Sequence, residues 1–95
     1  MRVLYTPLAR ADREAIFQYL SARSPAGASR VMAAIVAATE QLADHPLSGS
    51  ETEYAGIRAK LAGRYPYKIY YRLRNDIVEL IHIRHTSRRP WEGVR

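Results

Sequence analysis

Between Tyr67 and Arg89 the chain can fold in few ways. Tyr67, Ile69, Tyr71 and Leu73 alternate with Lys68, Tyr70 and Arg72, the period-two pattern of a strand with two unlike faces. Arg74-Asn75-Asp76 then interrupts with turn-forming residues, and a second β-prone run follows, so the stretch reads as a hairpin. The second arm is apolar on both sides, Ile77, Ile81 and Ile83 against Val78 and Leu80. That pattern predicts a central strand, or one covered on both faces. It runs out into Arg84-His85-Thr86-Ser87-Arg88-Arg89. Tyrosines interleaved with cations on one arm, and a cationic end on the other, make a surface suited to a polyanion.

The preceding chain reads as support. Val3-Leu4-Tyr5 is a short strand ended by Thr6-Pro7, where Thr6 can cap a helix and Pro7 fits its first turn. Leu8, Ala11, Asp12, Ala15, Ile16, Tyr19 and Leu20 recur at helical spacing to about Ala22. Phe17 falls off this stripe, as a flank contact or as an exposed anchor. Ser24-Pro25 repeats the start signal. Ala28, Val31, Met32, Ile35, Thr39 and Leu42 give a second helix, stopped at His45-Pro46. Ala33, Ala34 and Ala37 lie off its stripe, serving helix propensity or leaving a low surface for another helix. So short a break between helices predicts an antiparallel helical hairpin. Residues 47–56 read as a polar loop and the segment expected to move most. Ile57, Ala59 and Leu61 then alternate with Arg58 and Lys60, a strand with one apolar and one basic face. The expected fold is α+β, ordered β-α-α-β-β-β, with the helical hairpin on one face of a small, mainly antiparallel sheet.

A chain of 95 residues suits one domain, 1–95, with one modest core. No apolar stretch approaches the roughly 20 residues of a membrane span, and Met1 to Pro7 is too short and mixed for a signal peptide. Cysteine is absent, which excludes disulfides and thiolate zinc sites. A cytoplasmic protein without a membrane partner is the expectation. Charge is segregated. Residues 57–95 carry ten Lys/Arg against three acids, a net +7, whereas the first 56 residues sum to −1. A basic half points to an anionic partner, nucleic acid or an acidic protein segment, or serves solubility alone.

Four stretches in order carry a resemblance: His45-Pro46-Leu47-Ser48-Gly49, Gly56-Ile57-Arg58, Tyr65 to Arg72, and Ile81 to Arg88. Together they resemble the RelE/ParE superfamily of toxins of bacterial type II toxin–antitoxin (plasmid stabilisation) systems, over nearly the whole chain. The resemblance implies a cognate antitoxin whose C-terminal segment folds along the toxin, with operator DNA reached only through that antitoxin. It implies no cofactor and no metal. It leaves two activities open: a ParE-like inhibitor of DNA gyrase, and a RelE-like endoribonuclease cutting mRNA on the ribosome. An inactive relative that only binds its antitoxin is a third.

Metal-free RNA cleavage needs an acid/base pair and cations around the phosphorane. His85 is the candidate acid/base group, with Arg72, Arg84, Arg88 and Lys60 as electrostatic helpers. RelE-like members usually add a C-terminal tyrosine or carboxylate, and after His85 this chain has only Trp91 and Glu92. The Arg-His-Thr-Ser-Arg-Arg-Pro-Trp terminus looks more like the ParE-like branch, in which no catalytic site is expected. Arg72, Arg84, His85, Arg88, Arg89 and Trp91 are then the candidate target contacts. Phe17, Ala33, Ala34, Ala37, Arg58 and Lys60 are the candidate antitoxin contacts, because a segment that folds on binding needs apolar pockets and counter-charge. Each has a plainer reading. His82 packs, His85 closes its strand by hydrogen bonding, Arg88 and Arg89 are a solvated end, and Trp91 anchors the tail.

Overall fold

The computed structural model describes residues 1–87. Its elements are β1 (Arg2–Tyr5), α1 (Pro7–Ser21), α2 (Pro25–Asp44), β2 (Ser50–Glu51), β3 (Arg58–Leu61), β4 (Tyr67–Arg74) and β5 (Ile77–His85). The strands form one sheet in the order β1-β5-β4-β3-β2, with β1 parallel to β5 and every other pair antiparallel. The helical hairpin covers one face. The α+β architecture is as expected, with one strand more, since β2 lies inside the segment read as a loop.

Local chemistry sets the helix ends where the sequence marks them. The Thr6 hydroxyl accepts from the Ala9 amide at 3.3 Å and donates to the Leu80 carbonyl at 2.7 Å. One side chain therefore starts α1 and ties its entry to β5. Ser24 caps α2 by accepting from the Gly27 amide at 3.0 Å. From α2, Ala28, Val31, Ile35, Ala38, Thr39 and Leu42 face inward, and they meet Ile69, Tyr71, Val78, Leu80 and Ile83 of the sheet. The stripe of α1 is narrower than its spacing predicts. Ala9 is buried and Asp12, Ile16 and Leu20 are half-buried, while Leu8, Ala11, Ala15 and Tyr19 stay exposed.

Two expectations about the sheet are corrected. In β3 the inward residues are Arg58 and Lys60, which stand opposite buried Tyr71 and Ile69, while Leu61 stands opposite Lys68 and is 52% exposed. Alternation shows that two faces differ, not which one is covered. In β5 the register runs Tyr70 to His82 but Tyr71 to Leu80, which leaves Ile81 unmatched as a β-bulge. Leu80 and Ile81 are consecutive and both buried. The two-sided apolar pattern thus records a parity change within a central strand whose second face is open.

The β4–β5 turn is the two-residue Asn75-Asp76 loop, with φ of 51° and 61°. Such a loop matches the twist of the strands and favours Asn-Gly. Asp76→Gly is expected to stabilise the fold by roughly 0.5–1 kcal/mol, since glycine holds positive φ without steric cost. A thermal melt should rise by a few degrees, and a fall would exclude this turn geometry.

Candidate functional site

The resemblance-bearing stretches converge on one clamp at the β3 side of the sheet. Tyr71 is fully buried, and its hydroxyl donates to the Pro46 carbonyl at 2.7 Å while accepting the Gly49 amide at 3.1 Å. Gly49 has no room for a side chain, because a Cβ there would lie 2.6 Å from the Tyr71 hydroxyl and 2.8 Å from the Ala59 carbonyl. Arg58 Nη2 donates to the carbonyls of Gly49 at 2.7 Å and Leu47 at 3.2 Å, and Nη1 lies 3.6 Å from Glu51 Oε1. Lys60 Nζ donates to Ser48 Oγ at 3.1 Å. Arg58 and Lys60, placed by sequence among the antitoxin contacts, are therefore engaged in holding residues 47–51 against the sheet.

The candidate catalytic residues are not brought together. His85 stands opposite Tyr67, edge-on to its ring at 5.2 Å between centroids, on the helix-covered face. Its Nδ1 accepts the Ser87 amide at 3.1 Å and lies 2.7 Å from Ser87 Oγ, a local closure of the strand end. Arg72 projects from the other face, where its Nε donates to Glu79 Oε1 at 2.8 Å; Arg74 Nη1 lies 3.9 Å from the same oxygen. A phosphate on one face cannot meet both His85 and Arg72, so they do not form the acid/base-plus-cation arrangement that strand cleavage needs. Arg84 lies on the open face, directly opposite Lys68. Arg88, Arg89 and Trp91 lie outside the described residues.

Next to Arg84 is a group whose role the sequence obscured. β1 ends at Tyr5, so the edge of β5 beyond Leu80 is uncovered, and Asp12 of α1 fills in. Its Oδ2 accepts the Ile83 amide at 3.0 Å and lies 2.5 Å from His82 Nδ1. His82 in turn stacks near Tyr70, with centroids 6.2 Å apart and planes inclined by 26°. The available signal was an acid at an inward helical position, where a carboxylate needs a donor.

A family model described as "ParE toxin of type II toxin-antitoxin system, parDE" matches residues 3–90. The chain belongs to the ParE toxin family. Two relatives are also called toxins. "Putative toxin Y4kP" of Sinorhizobium fredii is 31% identical over 98% of this chain and 95% of its own length. "Toxin RelE2" of Caulobacter vibrioides is 33% identical over 92% of this chain and 97% of its own. In solved structures, the fold matches a chain of the "Chromosomal ParDE TA system from P. aeruginosa". The TM-score is 0.80 at 22% identity, covering 92% of this chain and 97% of that one. The similarity to that structure is one of fold.

A ParE-family toxin has an antitoxin to accommodate, and the outer helical surface of this one is partly apolar. Phe17 is 41% exposed and Val36 43% exposed, and Ala33 and Ala37 are exposed on α2. Ala34 differs from its neighbours. It is half-buried and turned toward Gly63 in the β3–β4 turn. Of the six antitoxin candidates, Phe17, Ala33 and Ala37 share open helical surface, Ala34 is half-covered, and Arg58 and Lys60 belong to the clamp.

Proposed function

We propose that this ParE-family toxin acts by binding: an antitoxin segment on the helical hairpin silences it, and the free toxin engages DNA gyrase. The observation that carries the binding mode is the separation of His85 and Arg72 onto opposite sheet faces. The test is expression without a partner, scored for growth arrest, with gyrase supercoiling and mRNA integrity measured in parallel. Arrest with lost supercoiling and intact transcripts is the expected result. Transcripts cut at translated codons, abolished by His85→Ala or Arg72→Ala, would favour the ribosome-dependent endoribonuclease instead, a reading that the name of the Caulobacter relative keeps open.

The antitoxin surface takes in Phe17, Ala33, Val36 and Ala37, where a folding segment can bury apolar anchors. Val36→Glu and Ala33→Glu are expected to weaken the complex at least tenfold, read by calorimetry, with the melting temperature of the free toxin nearly unchanged. Unaltered affinity in both variants would exclude this surface. Ala34→Glu and Arg58→Glu are unsuitable probes, because the first strains packing against the β3–β4 turn and the second opens the clamp.

A further inference from the structure

We propose that the open face of the sheet is a binding surface for a single-stranded polynucleotide, with Lys68 and Arg84 holding phosphates beside the Tyr70–His82 pair. In register, Lys68 stands directly opposite Arg84, and the next pair along that face is Tyr70 opposite His82. Like charges directly across two strands destabilise a sheet. Here nothing offsets them among the described residues. Glu79 is occupied by Arg72 and Arg74, Glu51 lies against Arg58, and neither Lys68 nor Arg84 forms an ion pair. A local conflict of this kind, in a sheet otherwise consistent with its sequence, marks a place where an external anion supplies the missing charge.

The surroundings favour an extended polynucleotide. Lys68, Arg84, Tyr70 and exposed Leu61 share a concave surface walled on one side by residues 50–54. Cations beside aromatic rings on an open sheet suit a strand whose phosphates sit on the charges and whose bases stack or pack nearby. Duplex DNA buries its base faces and cannot use the aromatic pair. Glu53 stands on the wall, clear of the two cations, so the floor is where phosphate is attracted. Arg72 is excluded from this role by Glu79, and His85 by its face. This surface is independent of the gyrase and antitoxin assignments.

The test is fluorescence anisotropy with purified toxin, labelled dT12, labelled rU12 and a 12-base-pair duplex, without gyrase or antitoxin. Single strands are expected to bind with an affinity that falls as salt rises, at a slope of about −0.7 per phosphate contact. Lys68→Glu places an opposite charge against Arg84, so it should leave the melting temperature unchanged or higher while lowering affinity at least tenfold. Lys68→Arg should retain binding, as should Arg30→Glu on the helical side. The dT12 and rU12 arms decide whether DNA or RNA is preferred. Absence of single-strand binding, a preference for duplex, or undiminished affinity in Lys68→Glu would each overturn the proposal.

Discussion

Gly49→Ala is expected to destabilise the toxin by roughly 2–4 kcal/mol, combining overpacking of about 1–3 kcal/mol with damage to a buried hydrogen bond. An added Cβ would approach the Tyr71 hydroxyl and the Ala59 carbonyl too closely for either to remain. Tyr71 is wedged in the core and cannot yield, and Ala59 is held in the β3–β4 ladder. Residues 46–49 must therefore lift away, and the bonds from Tyr71 to Pro46 and Gly49 are lost with them. At about 4–8 °C per kcal/mol for a chain of this size, the melting temperature should fall by more than ten degrees. Tyr71→Phe isolates the hydrogen-bonding part and is expected to cost about 1–3 kcal/mol, because it leaves a buried amide and a carbonyl unpaired. The double variant should cost less than the sum, since both changes remove the same contacts. A loss below about 0.5 kcal/mol for Gly49→Ala, measured by chemical denaturation, would show that the clamp is not closed as described.

Asp12→Ala should cost about 1.5–3 kcal/mol, for a different reason. The carboxylate completes the edge of β5 where β1 has ended, accepting the Ile83 amide and pairing with His82. Alanine leaves a partly buried amide and an imidazole without that partner, and unmade bonds of this kind cost more than made ones contribute. Asp12→Asn is expected to lose less than 1 kcal/mol, because its carbonyl can still accept from Ile83 while its amide nitrogen faces the imidazole. Hydrogen exchange adds a local readout: the Ile83 amide should exchange at least tenfold faster in Asp12→Ala. Equal protection in wild type and Asp12→Ala would remove this carboxylate from the edge.

Both predictions concern contacts between residues far apart in the chain, and this is where the sequence was hardest to read. The α1 and α2 starts at Thr6-Pro7 and Ser24-Pro25, the stop at His45-Pro46 and the Asn75-Asp76 turn were all legible. Each depends on a bond or backbone preference within a few residues. The ParE family was legible as well, because its signature stretches are contiguous. The inward face of β3 was not, since a period of two leaves that choice to whatever packs against the strand. The bulge at Ile81 was hidden for the same reason, as two buried neighbours look like a strand covered on both sides. Arg58 and Lys60 read as partner contacts because charge in a sequence carries no record of the carbonyls that will face it. Tertiary structure turned them into a clamp, set His85 and Arg72 on opposite faces, and left Lys68 and Arg84 facing each other without a carboxylate between them. Short-range sterics and capping determined the elements, and long-range register determined which side chains meet.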